Sequence, residues 1–427
     1  MRICVFEDGG ASNLHPLTLT RPAFDLRCGA ASLLERQERC LAAQTSAAFV
    51  RPGLAEMCWI DHPHLQVNDA TWFEESIPGE RVVLVNARWL APAESVSLSE
   101  TREIGLVGEQ MAFVVLPATD VRDLSPGNLS WRLSEWRQTL PHRAAGGRMI
   151  AYPWDLIEHN GAALEDDYQH WWKAGVPEAR GVSVSGPAER CLIADTAKIE
   201  PMVHIDTTNG PVLIDDRAVV HAFSRIEGPC YIGAETRVQS ARIHSGSIGP
   251  RCRIGGETEA SIVHGHSNKA HDGFLGHSYV GEWVNLGAGT QTSDLRTDYG
   301  PIRMTVNGQT IDTGLIKVGS FLGDHTKTSL NTLFNTGTVV GVFAQLLTAG
   351  ELLPRVVPSF CRYSRGKLHE RNGMREMFTL AETVMARRQR EWTPVHAELF
   401  FTLFEETAAE RRQVLRESEH GRLRRVV

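Results

Sequence analysis

Three stretches of different periodicity predict the fold. Continuous apolar runs alternating with a helical pattern predict an α/β layer over about residues 1–181. A six-residue apolar repeat predicts a parallel β-helix of triangular coils over about 182–350. An amphipathic pattern predicts a helical tail over 359–427.

In the first region "RICVF" and "RVVLVNARWL" are apolar throughout, as strands buried on both faces must be. Between them "AASLLERQERCLAAQ" is helical by its apolar spacing. "SPGNLSWRLSEWRQTL" opens on turn residues and continues as an amphipathic helix. A layered α/β domain is the simplest account of this order. Asp155, in "AYPWDLIEHN", reads as a carboxylate at a helix N-terminus, with a metal role as the alternative.

In the second region apolar residues recur every six positions at Ile193, Ile199, Ile205, and again at Ile214, Val220, Ile226, Ile232 and Val238. Ile243, Ile248, Ile254, Val280, Leu286, Leu322, Phe334 and Val340 continue the repeat. Neither a helix nor a flat strand has that period. A triangular coil does, because each side is a short strand with one residue turned to the axis and a small residue at the corner. About seven stacked coils bury a core that no single coil could make. The repeat breaks over about 291–317, where "IRMTVNGQTID" predicts a hairpin insertion turning at Asn-Gly. In the tail, Met374, Met377, Phe378, Ala381 and Met385 share one helix face. The Arg-rich end of that helix reads as a solvated terminus rather than an RNA patch.

The chain of 427 residues is too long for one core. Its formal net charge of -7 argues against a nucleic-acid coat. No apolar run reaches the ~18 residues of a membrane span, and "MRICVF" lacks the features of a secretion signal. Eight scattered cysteines without a C-x-x-C pair are expected as reduced, buried thiols in a cytoplasmic protein.

Two motifs then coincide. "FEDGGASNLHPLTLTRPAFDLR" after the first strand, followed by "GAASLLER", resembles the opening of sugar-phosphate nucleotidyltransferases. The hexads with "SNKAHDGFLGHSYVGEWVNLGAGT" resemble the left-handed β-helix of hexapeptide acyltransferases. In this order they resemble the bifunctional N-acetylglucosamine-1-phosphate uridyltransferase/glucosamine-1-phosphate acetyltransferase family, in a variant bacterial branch. The resemblance implies a Rossmann-like nucleotidyltransferase domain followed by a left-handed β-helix assembled as a homotrimer. It implies acetyl transfer from acetyl-CoA to a glucosamine-type sugar 1-phosphate. Coupling to a nucleoside triphosphate would then make a nucleotide sugar such as UDP-N-acetylglucosamine, with Mg²⁺ as the usual metal. No nucleic-acid or membrane partner is implied.

Aligned on the "LG" at 275, the family's general base falls on His271 and its sugar-binding Asn on Asn285. Phe274 stands for a Tyr, Glu259 for a sugar-phosphate Lys, and Asp294 for an Asn. Ala288, with Leu330 and Asn331, is expected to border acetyl-CoA. His271 could instead cap a coil corner. With His264, His266 and His277 it could also belong to a zinc site like that of γ-class carbonic anhydrases. A non-catalytic sugar-nucleotide sensor or scaffold is the rival from another class.

The opening loop departs from the family further. Gly9 and Gly10 fit the glycine-rich turn, but Asn13 replaces an Arg, and Arg88 stands where the family holds Mg²⁺ with an Asp. Arg21, Arg27 and Arg88 supply three cations, so the loop is expected to be a rebuilt phosphate site.

Overall fold

A computed structural model describes residues 1–74, 79–170, 181–348 and 350–419. The expected domain boundary at 181 adjoins the stretch 171–180, which lies outside the described residues. Two compact units emerge. The first is Met1–Leu14, Thr20–Leu26 and Ala31–Tyr152, and the second takes His15–Leu19, Arg27–Ala30 and the chain from Pro153 onward.

The first unit is built on a seven-stranded sheet. Arg2–Phe6 lies in its interior, parallel to Ala47–Phe49 on one side and to Arg81–Asn86 on the other. Alternate residues of each strand feed two cores. Cys4, Phe6, Leu84 and Val114 point to one, and Ile3, Val83, Val85 and Phe113 to the other. Both faces are therefore dry, which is why the strands read as unbroken apolar runs. Each such side chain contributes roughly 1.5–3 kcal/mol on burial. The sheet is mixed rather than wholly parallel. Gln110–Pro117 runs antiparallel to both Arg81–Asn86 and Glu103–Val107. The reversal at Glu109 is short enough for a hairpin because Gly108 takes a φ of 56°. The helix Leu33–Leu41 starts at Ser32, whose hydroxyl accepts from the Glu35 amide while the Glu35 carboxylate accepts from the Ser32 amide.

In the second unit the hexads stack in register. Ile193, Ile214, Ile232, Ile248, Val263, Val280, Leu322, Val340 and Val357 form one axial column. Ile205, Ile226, Ile243, Thr258 and Leu275 form a second. Ile199, Val220, Val238, Ile254 and Lys269 run up the third. The first column has nine rungs, more than the seven coils expected. Strands Val356–Val357 and Cys361–Ser364 continue the ladder past residue 350. Pro354 and Pro358 hide these rungs from the period. The hairpin expected within 291–317 is formed by Arg303–Val306 and Gln309–Asp312. Its turn residues Asn307 and Gly308 have φ of 48° and 74°, the left-handed pair such a turn needs.

The helix Pro153–His170 groups with the coils, not with the sheet. Leu164 packs with Leu192, Leu213 and Tyr231, and the Asn160 side-chain oxygen accepts from Ser247 Oγ at 2.9 Å. Asp155 lies in its first turn. The tail is not helical from 359. A hairpin of Cys361–Ser364 and Lys367–Glu370 comes first, turning through Arg365 and Gly366 in left-handed conformations. The helices Met374–Ala386, Pro394–Glu406 and Ala408–Glu419 follow. Met377, Ala381 and Met385 are buried as the helical face predicts. Phe400 and Phe404 close on Phe343 and Phe360, with ring centroids 4.7 and 5.3 Å apart.

Candidate active site

One corner of the β-helix gathers most of the residues expected at an acyl site. His271 is exposed at a bend between Asn268–Lys269 and Phe274–Gly276, and its ring hydrogen-bonds to none of the described residues. The neighbouring Asp272 carbonyl accepts from the Gly289 amide at 2.8 Å, and the Ala288 carbonyl accepts from the Asn331 amide at 2.8 Å. His271, Ala288 and Asn331 are thus carried on successive turns of one corner. Leu330 is beside them, 66% exposed. Phe274 begins the strand on one side of the corner. Asn285 lies on the other side, where its side-chain oxygen accepts from Asn268 Nδ2 at 2.7 Å. Lys327, which the sequence did not single out, pairs with Asn285 in the next coil. Burial lowers its ammonium pKa to about 8, although Asp324 opposes the shift. The Lys327 ammonium donates to the Trp283 carbonyl.

Glu259 and Asp294 are not at that corner. They stand at the far end of the same short strand, since Glu259 pairs with Gly276. Asp294 accepts from His277 Nδ1 at 2.8 Å. A Cβ at Gly276 would overlap the Asp294 carboxylate and the Phe274 ring, so only glycine leaves them room. Glu259 holds Lys317 Nζ at 2.7 Å, and that hydrogen bond raises the Lys317 pKa. At the place where the resemblance led a lysine to be expected, Glu259 thus sits beside a cation, Lys317, supplied from the base of the hairpin. Side-chain atoms of Glu259, His277 and Asp294 lie within 4.8 Å of one another. They form the group able to hold a metal among the described residues, and the Lys317 ammonium already offsets one of its two carboxylates. The other histidines have separate partners. His264 Nδ1 meets Tyr279 Oη at 2.9 Å, and His266 Nδ1 meets Glu282 at 3.3 Å. Within one chain the imidazoles do not converge as a three-histidine zinc site would require.

The opening loop folds as a 3₁₀ turn over Gly9–Leu14, with the Gly10 amide donating to Asp8 at 3.0 Å. Arg88 does not wait there as a free cation. Its Nε and Nη2 grip Asp8 at 2.7 and 2.6 Å, and its Nη1 donates to the Ile150 carbonyl at 2.7 Å. Burial alone would raise the Asp8 pKa, but the hydrogen bonds and charge of Arg88 outweigh it and hold the carboxyl below its ordinary range. A Cβ at Gly10 would come within 2.5 Å of Arg88 Cζ, so that glycine serves the guanidinium. Arg88 as a phosphate ligand is corrected by this geometry. Mg²⁺ does not fit here either, because a guanidinium lies where the metal's carboxylate should be and occupies the remaining one. Arg27 has partners of its own. It belongs to the second unit, where its Nη1 donates to the Ala30 carbonyl at 2.5 Å and its guanidinium lies 5.6 Å from the Tyr231 ring. Arg21 is buried in the first unit, Gly9 is exposed and Asn13 is half-buried.

A cleft of about 670 Å³ opens beside the tail hairpin, lined by Arg362, Arg365, Lys367, His369 and Arg371, with Glu370 and Glu376. No six-residue period marks this segment, and its basic residues alternate along two strands. All eight cysteines are buried and free, and burial pushes Cys40 and Cys191 up to about 11. Among the described residues no helix is long and apolar enough to cross a membrane.

A family model of sugar nucleotidyl transferases matches residues 3–173. A bifunctional sugar-1-phosphate nucleotidylyltransferase/acetyltransferase of Sulfurisphaera tokodaii is 33% identical over 90 residues, 21% of this chain and 22% of that protein. The bifunctional protein GlmU of Jannaschia sp. is 32% identical over 151 residues, 32% of each chain. That of Rippkaea orientalis is 28% identical over 205 residues, 42% of this chain and 39% of the other. The matches span from about a fifth to about two fifths of these relatives' length. The polySia-specific acetyltransferase NeuO superposes with a TM-score of 0.27 at 12% identity, over 49% of this chain and 94% of that one. The β-helix assignment therefore rests on the strand registers alone. The chain joins a region similar to sugar nucleotidyl transferases to a β-helix of six-residue repeats, and parts of it are similar to the bifunctional sugar-1-phosphate nucleotidylyltransferase/acetyltransferases.

Proposed function

We propose that the protein is an acyltransferase of activated amino-sugar synthesis, moving acetyl from acetyl-CoA to the amine of a glucosamine-type sugar 1-phosphate. The observation that carries this is the corner shared by His271, Ala288 and Asn331 and flanked by Phe274 and Asn285. A neutral His271 imidazole takes the proton of the acceptor amine as its nitrogen attacks the thioester carbonyl. The C–S bond then breaks and coenzyme A leaves as the thiol, protonated by the imidazolium or by solvent. Such general-base help is worth roughly 10²–10⁴ in rate. Asn285 orients the sugar, and Phe274 gives it an apolar face where a hydroxyl would otherwise bind. Lys317, poised on Glu259, receives the sugar phosphate. The guanidinium and ammonium groups of the tail cleft suit the phosphates of coenzyme A. A homotrimer, closing three flat-faced coils around an axis, sets these sites between neighbours.

The N-terminal domain couples the product to a nucleotide, giving a UDP-sugar. A second reading, binding of a nucleotide sugar without turnover, is favoured by the Asp8–Arg88 lock. Purified protein given acetyl-CoA and glucosamine 1-phosphate, with free thiol followed by a colorimetric reagent, tests the acyl step. UTP added afterwards tests the second. Thiol release at the rate of buffer alone, with every amino-sugar phosphate tried, would refute acetyl transfer.

A further inference from the structure

Lys269 occupies an axial place of the β-helix. It is 4% exposed and sits in register with Ile254. The same column holds Val220 and Val238 below it. The coil above places Leu286 next, its amide bonded to the Asn268 carbonyl at 2.8 Å. An apolar side chain would complete this column, so a lysine here needs another reason. Among the described residues no carboxylate bonds its ammonium. Three main-chain carbonyls do: Gly255 at 2.8 Å, Gly273 at 2.7 Å and His271 at 3.3 Å. Three acceptors call for the three donors of a protonated amine, since a neutral amine has two. The two later carbonyls bracket the bend that presents His271, and Gly273 there has a φ of 129°, a conformation that glycine tolerates but does not by itself fix. Gly256 leaves room for the ammonium, since a Cβ there would come within 2.9 Å of Nζ.

We propose that Lys269 is a positioning residue for the acyl site: its buried ammonium ties the 271–273 bend to the coil below and so fixes where the His271 imidazole stands. The inference rests on acetyl transfer with His271 as base. A buried cation held by carbonyls is costly unless every donor is used, and here every donor is used on the segment that carries the base. Burial lowers its pKa to about 8, against the opposing charges of Asp272 and Glu257, so at neutral pH the ammonium form prevails.

Lys269→Met keeps the volume and restores an apolar axis. The expected result is a melting temperature no lower than the wild type's, with a kcat for acetyl transfer roughly 10- to 100-fold lower, since ångström-scale misplacement of a reacting group costs about that much. KM for acetyl-CoA should stay within about twofold, because Ala288 and Asn331 belong to other turns. Amide exchange in a peptide covering 270–276 should rise while the rest of the β-helix keeps its protection. Lys269→Gln, which retains two donors, should fall between the two and serves if the Met variant does not fold. Wild-type kcat together with unchanged exchange at 270–276 would overturn the proposal. Wild-type protein without acetyl transfer would remove the catalytic reading, while the exchange measurement would still show whether Lys269 holds the bend.

Discussion

The loop at Asp8–Arg88 and the coil corner at Glu259–Lys317 carry the same kind of change. In each, the expected charge is inverted, and a partner of opposite sign is present. The difference lies in solvent. The Arg88 side chain is 6% exposed and gives its donors to Asp8, Gln110 and Ile150, whereas Lys317 and Glu259 are 43% and 32% exposed with a single contact between them. Asp8 is itself 29% exposed, but the Arg88 guanidinium is buried. A buried cation without its carboxylate would be left with its desolvation cost uncompensated, so the pair is a fixed part of the fold. An exposed pair is worth little and can exchange its partner for a ligand. The first is a closed site and the second an open one.

The largest effect should come from the β-helix, at the corner next to the open pair. His271→Ala should lower acetyl transfer roughly 10²–10⁴-fold with the circular-dichroism melt unchanged. A change below about threefold would place the base elsewhere, with His277, aligned by Asp294, as the group to test next. On the closed side, Arg88→Asp should destabilise the N-terminal unit by about 1–3 kcal/mol, since it sets two carboxylates together and removes the hydrogen-bond donor of Asp8 and Ile150. If denaturant unfolding instead shows wild-type stability, and Mg²⁺-dependent nucleotidyl transfer improves, the pair is not structural and the loop has merely lost a metal ligand.

Acid sharpens the contrast further. The folded-state pKa of Asp8 lies below its unfolded value of about 3.9. Its contribution to stability is therefore complete above about pH 4 and is lost as pH falls through the folded value. Asp8→Asn should flatten that part of the stability curve, and an unaltered curve would show that Arg88 does not depend on the charge. The smallest effect belongs to Lys317→Ala. It should cost only about 0.2–1 kcal/mol of stability, yet raise KM for the sugar phosphate and leave KM for acetyl-CoA alone. Equal rises in both would argue against a phosphate role.

Much of the architecture was legible in the residues. A period of six has one structural solution, and its column of isoleucines and valines appeared in register coil after coil. Where proline interrupted it, at Pro354 and Pro358, the last rungs went unseen, because the ladder needs only two or three residues per side and a period needs repetition. The antiparallel strand Gln110–Pro117 was equally hidden, since a strand buried on both faces has the same composition in either direction.

The site was only partly legible. Chain order placed His271, Ala288 and Asn331 in one coil system, and main-chain hydrogen bonds between turns put them at one corner. Charge partnership was not written in order at all. Arg88 finds Asp8 across parallel strands, Lys317 reaches Glu259 from beyond a hairpin, and Lys269 turns inward to three carbonyls. Sequence alone determined the period, the apolar axis and the residue types available for chemistry, because these depend on local spacing. Only the tertiary structure decided which charges are spent on one another and which still face solvent, because an ion pair is set by distance and desolvation in space.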